Sequence, residues 1–126
     1  MKNIKSALLI FLTIITYNCK AQQIPESQYS TNIVGTWVLE EDTNNKLVFT
    51  TNGQCKVYVG NQLDTTYEYS FENNVCQNYT ENNVVYLKWR EVNTLEFTCV
   101  EISGMTTDIL SLMLIDSAQI LYYNRQ

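Results

Sequence analysis

Few residues in this chain have types and spacings that could do chemistry, and most of them argue against catalysis. There is no histidine, so the usual general base is missing, as is every triad or metal site built on imidazole. Glu40 and Glu41 are adjacent; on a strand they would point to opposite faces and could not work as a carboxylate pair. The four cysteines, Cys19, Cys55, Cys76 and Cys99, show no Cys-x-x-Cys spacing, and no glycine-rich phosphate loop is present. The expectation is a protein that is not an enzyme and holds neither metal nor cofactor. What remains for function is thiols, aromatic rings and carboxylates placed at turns.

The thiols raise the question of compartment. Lys2 and Lys5 precede nine apolar or small residues, 7–15, after which no apolar run of that length recurs. This pattern reads as a signal peptide over 1–18, too short to span a bilayer. Two processing routes remain open. Thr16-Tyr17-Asn18-Cys19 resembles the relaxed lipobox of bacterial lipoproteins, whereas Cys19-Lys20-Ala21 offers Ala21 to an ordinary signal peptidase. Lipidation of Cys19 is the preferred route, and it would tether the protein to a membrane through acyl chains alone. The expected place is the cell envelope, anchored on its periplasmic side or at the cell surface, or free in the periplasm or medium if Cys19 is not lipidated. Loss of 1–18 removes two lysines and no acid, moving the formal charge from −5 to −7. So acidic a chain is a poor partner for nucleic acid or anionic lipid.

The elements that must position these groups are short strands. Residues 19–32 are polar, contain the only proline (Pro25), and read as a tether. The domain is expected over 33–126. Eight segments rich in β-branched and aromatic residues alternate at period two: 33–40, 46–51, 54–60, 65–71, 84–90, 94–102, 108–115 and 119–124. All connections are short except 72–83, and one carries the hairpin pair Asn52-Gly53. A meander of eight strands hides its edges best by closing into an antiparallel up-and-down barrel. The expected fold is all-β, a monomer without lid or outer helix.

Gly35-Thr36-Trp37 on the first segment resembles the Gly-x-Trp signature of the lipocalin family, and 121–125, ending in Arg125, resembles its closing strand. The resemblance covers most of the chain from Ile33. It implies that Gly35, Trp37 and Arg125 are structural, the arginine packing as a cation over the indole at the closed base.

Strand direction then sorts the remaining groups between two ends. Counting hairpins places Cys55, Cys76 and Cys99 toward the base. An exported protein meets oxidising conditions; Cys76 with Cys99 is the expected disulfide, leaving Cys55 as a buried free thiol. The opposite rim collects Glu40, Glu41, Asp42, Asp64, Glu91 and Asp116, a charge that would attract a cation or that simply reflects solvated turns. The inner face is expected to include Leu39, Phe49, Val57, Val59, Tyr67, Tyr69, Trp89, Phe97 and Leu112 as cavity wall, together with Leu95, and a bulge is expected within 99–102 where the apolar parity switches. Two functions follow. One is a carrier of a small apolar or amphipathic ligand inside the barrel. The other is a solid-cored barrel that meets an envelope protein or a glycan through its surface.

Overall fold

The computed structural model describes residues 22–126. The signal peptide expected over 1–18 and the lipidation of Cys19 lie outside the described residues. Eight antiparallel strands form one closed barrel in chain order: β1 (Gly35–Leu39), β2 (Asn45–Phe49), β3 (Gln54–Val59), β4 (Gln62–Cys76), β5 (Tyr79–Glu91), β6 (Phe97–Met105), β7 (Ile109–Leu114) and β8 (Gln119–Arg125). Closure is made by β8 on β1, with Trp37 opposite Arg125 and Leu39 opposite Tyr123. No strand is left as a continuous free edge, which is the hazard such a small all-β chain must avoid.

Alternation turns one residue in two inward. Trp37, Leu47, Phe49, Cys55, Leu87, Val100, Leu110 and Leu112 are buried in one core. Each fully buried aliphatic or aromatic side chain contributes about 1.5–3 kcal/mol, and they concentrate toward the base.

The base is closed by a segment that the sequence pattern assigns to the tether. Residues 26–28 form a 3-10 turn, followed by the helical turn α1 (Tyr29–Asn32). Tyr29 and Ile33 are buried in the core, and Ile24 packs against it. Ile24 N–H donates to Met105 O at 2.7 Å, and Gln23 Oε1 accepts from Met105 N–H at 3.2 Å. The tether expectation is therefore corrected for residues 23–32. Tyr29 and Ile33 stand four apart, the spacing that stacks two side chains on one helical face.

At this end Trp37 Nε1–H donates to Ile33 O at 2.7 Å, and the Arg125 guanidinium lies 4.1 Å from the Trp37 ring centroid. Gly35 has φ +137°, and a Cβ there would stand 2.7 Å from Arg125 Nη1. The glycine is what lets the arginine cross the base.

The expected long connection 72–83 is not a loop. β4 and β5 run on as a ladder to the pair Cys76–Tyr79, with a register shift between Asn73 and Val75. At that shift Asn74 (φ 65°) and Asn83 (φ 62°) both adopt left-handed backbone, and Asn83 N–H donates to Asn74 Oδ1 at 2.8 Å. Asparagine tolerates this region better than other side-chain-bearing residues. The ladder bends there, and its tip lies on the outer wall as a flap. Cys76, Tyr86 and Cys99 form a small second core there, joined by Tyr79, Val84 and Ile115.

Candidate functional site

The disulfide pairs Cys76 with Cys99, and Cys55 is a buried free thiol. Their positions differ from the hairpin count. β6 starts at Phe97, so Cys99 lies near the mouth end of that strand, on its outer face. The bond staples the flap to the outer wall rather than closing the base. Cys55 alone faces the core, at the base end of β3, where burial pushes its thiol up to about 12. A thiol buried and protonated in this way is a poor nucleophile near neutral pH.

The expected cavity wall divides into three groups. Phe49 and Leu112 are fully buried and belong to the packed floor. Leu39, Val57, Tyr67, Tyr69 and Trp89 are half-buried and pack against the core from its rim. Val59 keeps the inward parity of Val57 but stands at the mouth end of β3, 50% exposed, and Phe97 leaves the wall, 41% exposed. Leu95, 87% exposed, is also outside the core.

Phe97 points outward because β6 pairs Leu87 with Val100 and Trp89 with Thr98, which turns the even-numbered residues inward. The parity change comes later than expected, at a register shift between Ile102 and Gly104, after which Met105 is the buried residue. On the outer face Phe97 is covered by Lys88, whose Nζ is 4.2 Å from the ring centroid, and by Arg90 at 5.6 Å. Arg90 also pairs with Glu68 across β4 and β5.

The open half of the barrel is a shallow cup. Tyr67 and Trp89 stack on its inner wall, ring centroids 5.4 Å apart and planes 28° apart. Thr98, the cross-strand partner of Trp89, is exposed although it faces inward. One inner position further toward the base, Leu87 and Val100 are buried and form the floor. Burial raises the Tyr67 hydroxyl, with Glu91 and then Asp64 adding to the shift. Carboxylates on the mouth-end residues of β4 and β5 therefore act on the ring that lines the cup. Tyr69, below it, donates its hydroxyl to Thr50 O at 3.2 Å, so its polar atom is held by the base turn and not offered to the cup.

Beside the cup the barrel wall parts. The β6–β7 ladder begins only at Glu101–Met113, so residues 97–100 of β6 have no β7 partner. A groove of about 580 Å³ occupies the gap, lined by Thr98, Val100 and Leu114 from the inner face and by Tyr79, Ile115 and Asp116 toward the flap. Tyr79 donates its hydroxyl to Asp116 Oδ1 at 2.6 Å, and Gln77 Nε2 donates to Phe97 O at 3.3 Å. These two bonds and the disulfide fix the flap as the groove's outer lip, a part that sequence reasoning missed. Its signal was present in Tyr79 and Thr80, strand-forming residues inside an asparagine-rich stretch.

Among the described residues no three His, Cys, Asp or Glu side chains come together to hold a metal ion. The rim acids are spread around four separate strand connections, with Asp64 and Glu91 on the adjoining strand ends. Comparison of the chain with models of protein families, with curated proteins and with solved structures finds no match to any of them.

Proposed function

We propose that this protein is an exported, lipocalin-like binding protein that takes one small amphipathic molecule in the cup at the barrel mouth. The observation that carries this reading is the half-buried Tyr67–Trp89 stack on the inner wall, beside an exposed Thr98 and over an apolar floor. Stacked rings left partly open to water are an apolar, rigid surface for a flat ring or short aliphatic chain. The packed base limits the ligand to the open half, so a long-chain lipid does not fit along the barrel axis. Carboxylates at the surrounding turns favour a ligand whose polar end is neutral or cationic.

Export and lipidation at Cys19 belong to the same reading. The described chain begins beside Met105 at the base. An anchor at Cys19 would thus hold the barrel base-down, with its mouth away from the membrane. The groove between β6 and β7 favours a second reading, a barrel that engages an envelope protein through its outer wall.

Native mass spectrometry of the protein purified from its own host tests the first reading. A stoichiometric small molecule that is released on denaturation, and whose retention is lost in Trp89→Ala, supports it. A clean unliganded mass, with no uptake of cationic amphipathic fluorophores, overturns it.

A further inference from the structure

The gap beside β6 leaves backbone groups, and not only side chains, without a strand partner. Along the even-numbered strands, which run from mouth to base, outward-facing residues send their backbone groups to the following strand. Thr66 O accepts from Val92 N–H in this way, and Tyr122 O accepts from Glu40 N–H. Inward-facing residues send theirs to the preceding strand, as Tyr69 N–H does to Gly53 O. By the same alternation, Phe97 and Cys99, which face outward, direct their N–H and C=O groups toward β7. β7 ends at Leu114 and pairs with β6 only from Glu101 onward. Among the described residues one partner is found for these groups, the Gln77 side chain on Phe97 O. Cys99 is only 7% exposed, so its unpaired N–H and C=O are also poorly hydrated, an arrangement that costs free energy until a partner arrives.

We propose that the edge of β6 at Phe97–Cys99 is a strand-addition site for an extended, cationic peptide segment of another protein. The edge groups that lack a strand partner repeat at every second residue, about 6.6–6.8 Å apart. That spacing is the complement of an extended peptide and not of a compact small molecule. A peptide laid in the gap would turn alternate side chains inward, over Val100 and Leu114, and outward, toward Tyr79 and Asp116. The Asp116 carboxylate on the outer lip, in a chain of formal charge −5, selects lysine or arginine at the outward positions. The disulfide holds the flap so that this lip exists before the peptide binds, which lowers the ordering cost of association. The groove shares Thr98 and Val100 with the cup but not the Tyr67–Trp89 stack, so loss of small-ligand binding in Trp89→Ala and loss of peptide binding in Phe97→Pro tell the two readings apart.

Titration of the ¹⁵N-labelled full chain with acetyl-Val-Lys-Val-Lys-Val-amide, followed by NMR, tests the proposal. The expected result is movement of the Phe97 and Cys99 amide resonances, with hydrogen exchange at these positions slowed roughly tenfold at saturation. Tyr67 and Trp89 should not respond. The same sequence with a fully N-methylated backbone should not bind, because it cannot donate to the edge. Asp116→Asn should weaken binding roughly two- to fivefold. Phe97→Pro removes one edge donor at the first residue of a strand, where proline is tolerated; it should abolish binding and leave the thermal unfolding curve cooperative. No perturbation at millimolar peptide, equal binding of the N-methylated peptide, or perturbation confined to the cup would overturn the proposal.

Discussion

Arg125 lies against the indole of Trp37, Cζ 4.1 Å from the ring centroid, and its guanidinium ties three chain segments together at the base. Nε donates to Thr107 O at 2.6 Å, Nη1 to Val34 O at 3.0 Å, and Nη2 to Asn32 O. The helical turn, the residue leading into β1 and the β6–β7 connection therefore share one side chain from the last strand. Arg125→Ala is expected to destabilise the protein by about 2–4 kcal/mol, since it strips charge-assisted donors from three carbonyls and a cation from the indole. Arg125→Lys should recover less than half of that, because an ammonium lacks the planar fork that reaches three acceptors. Urea unfolding midpoints of the two variants check this; equal midpoints for wild type and Arg125→Ala would show that the latch is dispensable.

The stapled flap makes a different prediction. Cys76 and Cys99 are separated by 23 residues in sequence, and closing a loop of that length stabilises a fold by roughly 3 kcal/mol in the chain-entropy account. The double variant Cys76→Ala/Cys99→Ala should lose about that much while keeping the far-ultraviolet circular dichroism of the barrel. Hydrogen exchange should quicken at residues 75–82, beyond the Asn74 and Asn83 bend, and not in β1, β2 or β8. Burial and the neighbouring Glu81 both raise the Glu101 carboxyl, so the released tip should separate more readily once Glu101 is ionised. Uniform loss of protection through the whole barrel would contradict a local flap.

The contrast between these two regions shows what the sequence pattern carried. Strand number, order and closure were legible because period-two alternation and turn residues such as Asn52-Gly53 are local properties. The cysteine pair was legible from compartment and connection length, although its place on the outer wall was not. The flap was hidden because Asn73, Asn74, Asn82 and Asn83 have turn composition, while the ladder that spans them is held by backbone pairing and by Tyr79 reaching Asp116. Phe97 was misplaced inside because a single extra residue near Ser103 reverses parity along β6, and an outward aromatic covered by Lys88 and Arg90 looks locally like a core residue. Tyr29 and Ile33 were passed over because one helical turn is too short to show amphipathic periodicity.

Alkaline pH should expose the buried acids of the core. Burial raises the Cys55 thiol from its ordinary 9.0 to about 12, and burial, then Cys55, raises the Tyr123 hydroxyl from 10.0 to about 12. Both groups stay protonated in the folded chain at pH values where the unfolded chain has released its protons. Their contribution to stability is complete below about pH 9 and is lost as pH climbs toward about 12, at up to about 1.4 kcal/mol per pH unit per group. Urea unfolding from pH 8 to 11 should show stability falling first above pH 9 and more steeply above pH 10. Cys55→Ala should remove the earlier part of that fall. A profile identical in the variant would mean that the thiol is not the titrating group.

The two tryptophans report on different ends of the barrel. Trp37 is fully buried, its indole N–H bonded to Ile33 O and its face covered by Arg125; Trp89 is half-buried beside Tyr67 in the cup. Acrylamide should therefore quench Trp89 in the folded protein and leave Trp37 almost untouched. A Trp37→Phe variant should retain nearly all of the accessible emission, provided that its base still folds, which its unfolding midpoint shows. In a Trp89→Phe variant the remaining emission should resist quencher until the chain unfolds. An amphipathic ligand seated on the Tyr67–Trp89 stack should shield or shift the Trp89 emission alone. If instead ligand uptake changed Trp37 in the Trp89→Phe variant, the molecule would have to enter the base, and Tyr29, Ile33 and Phe49 would have to move aside to admit it.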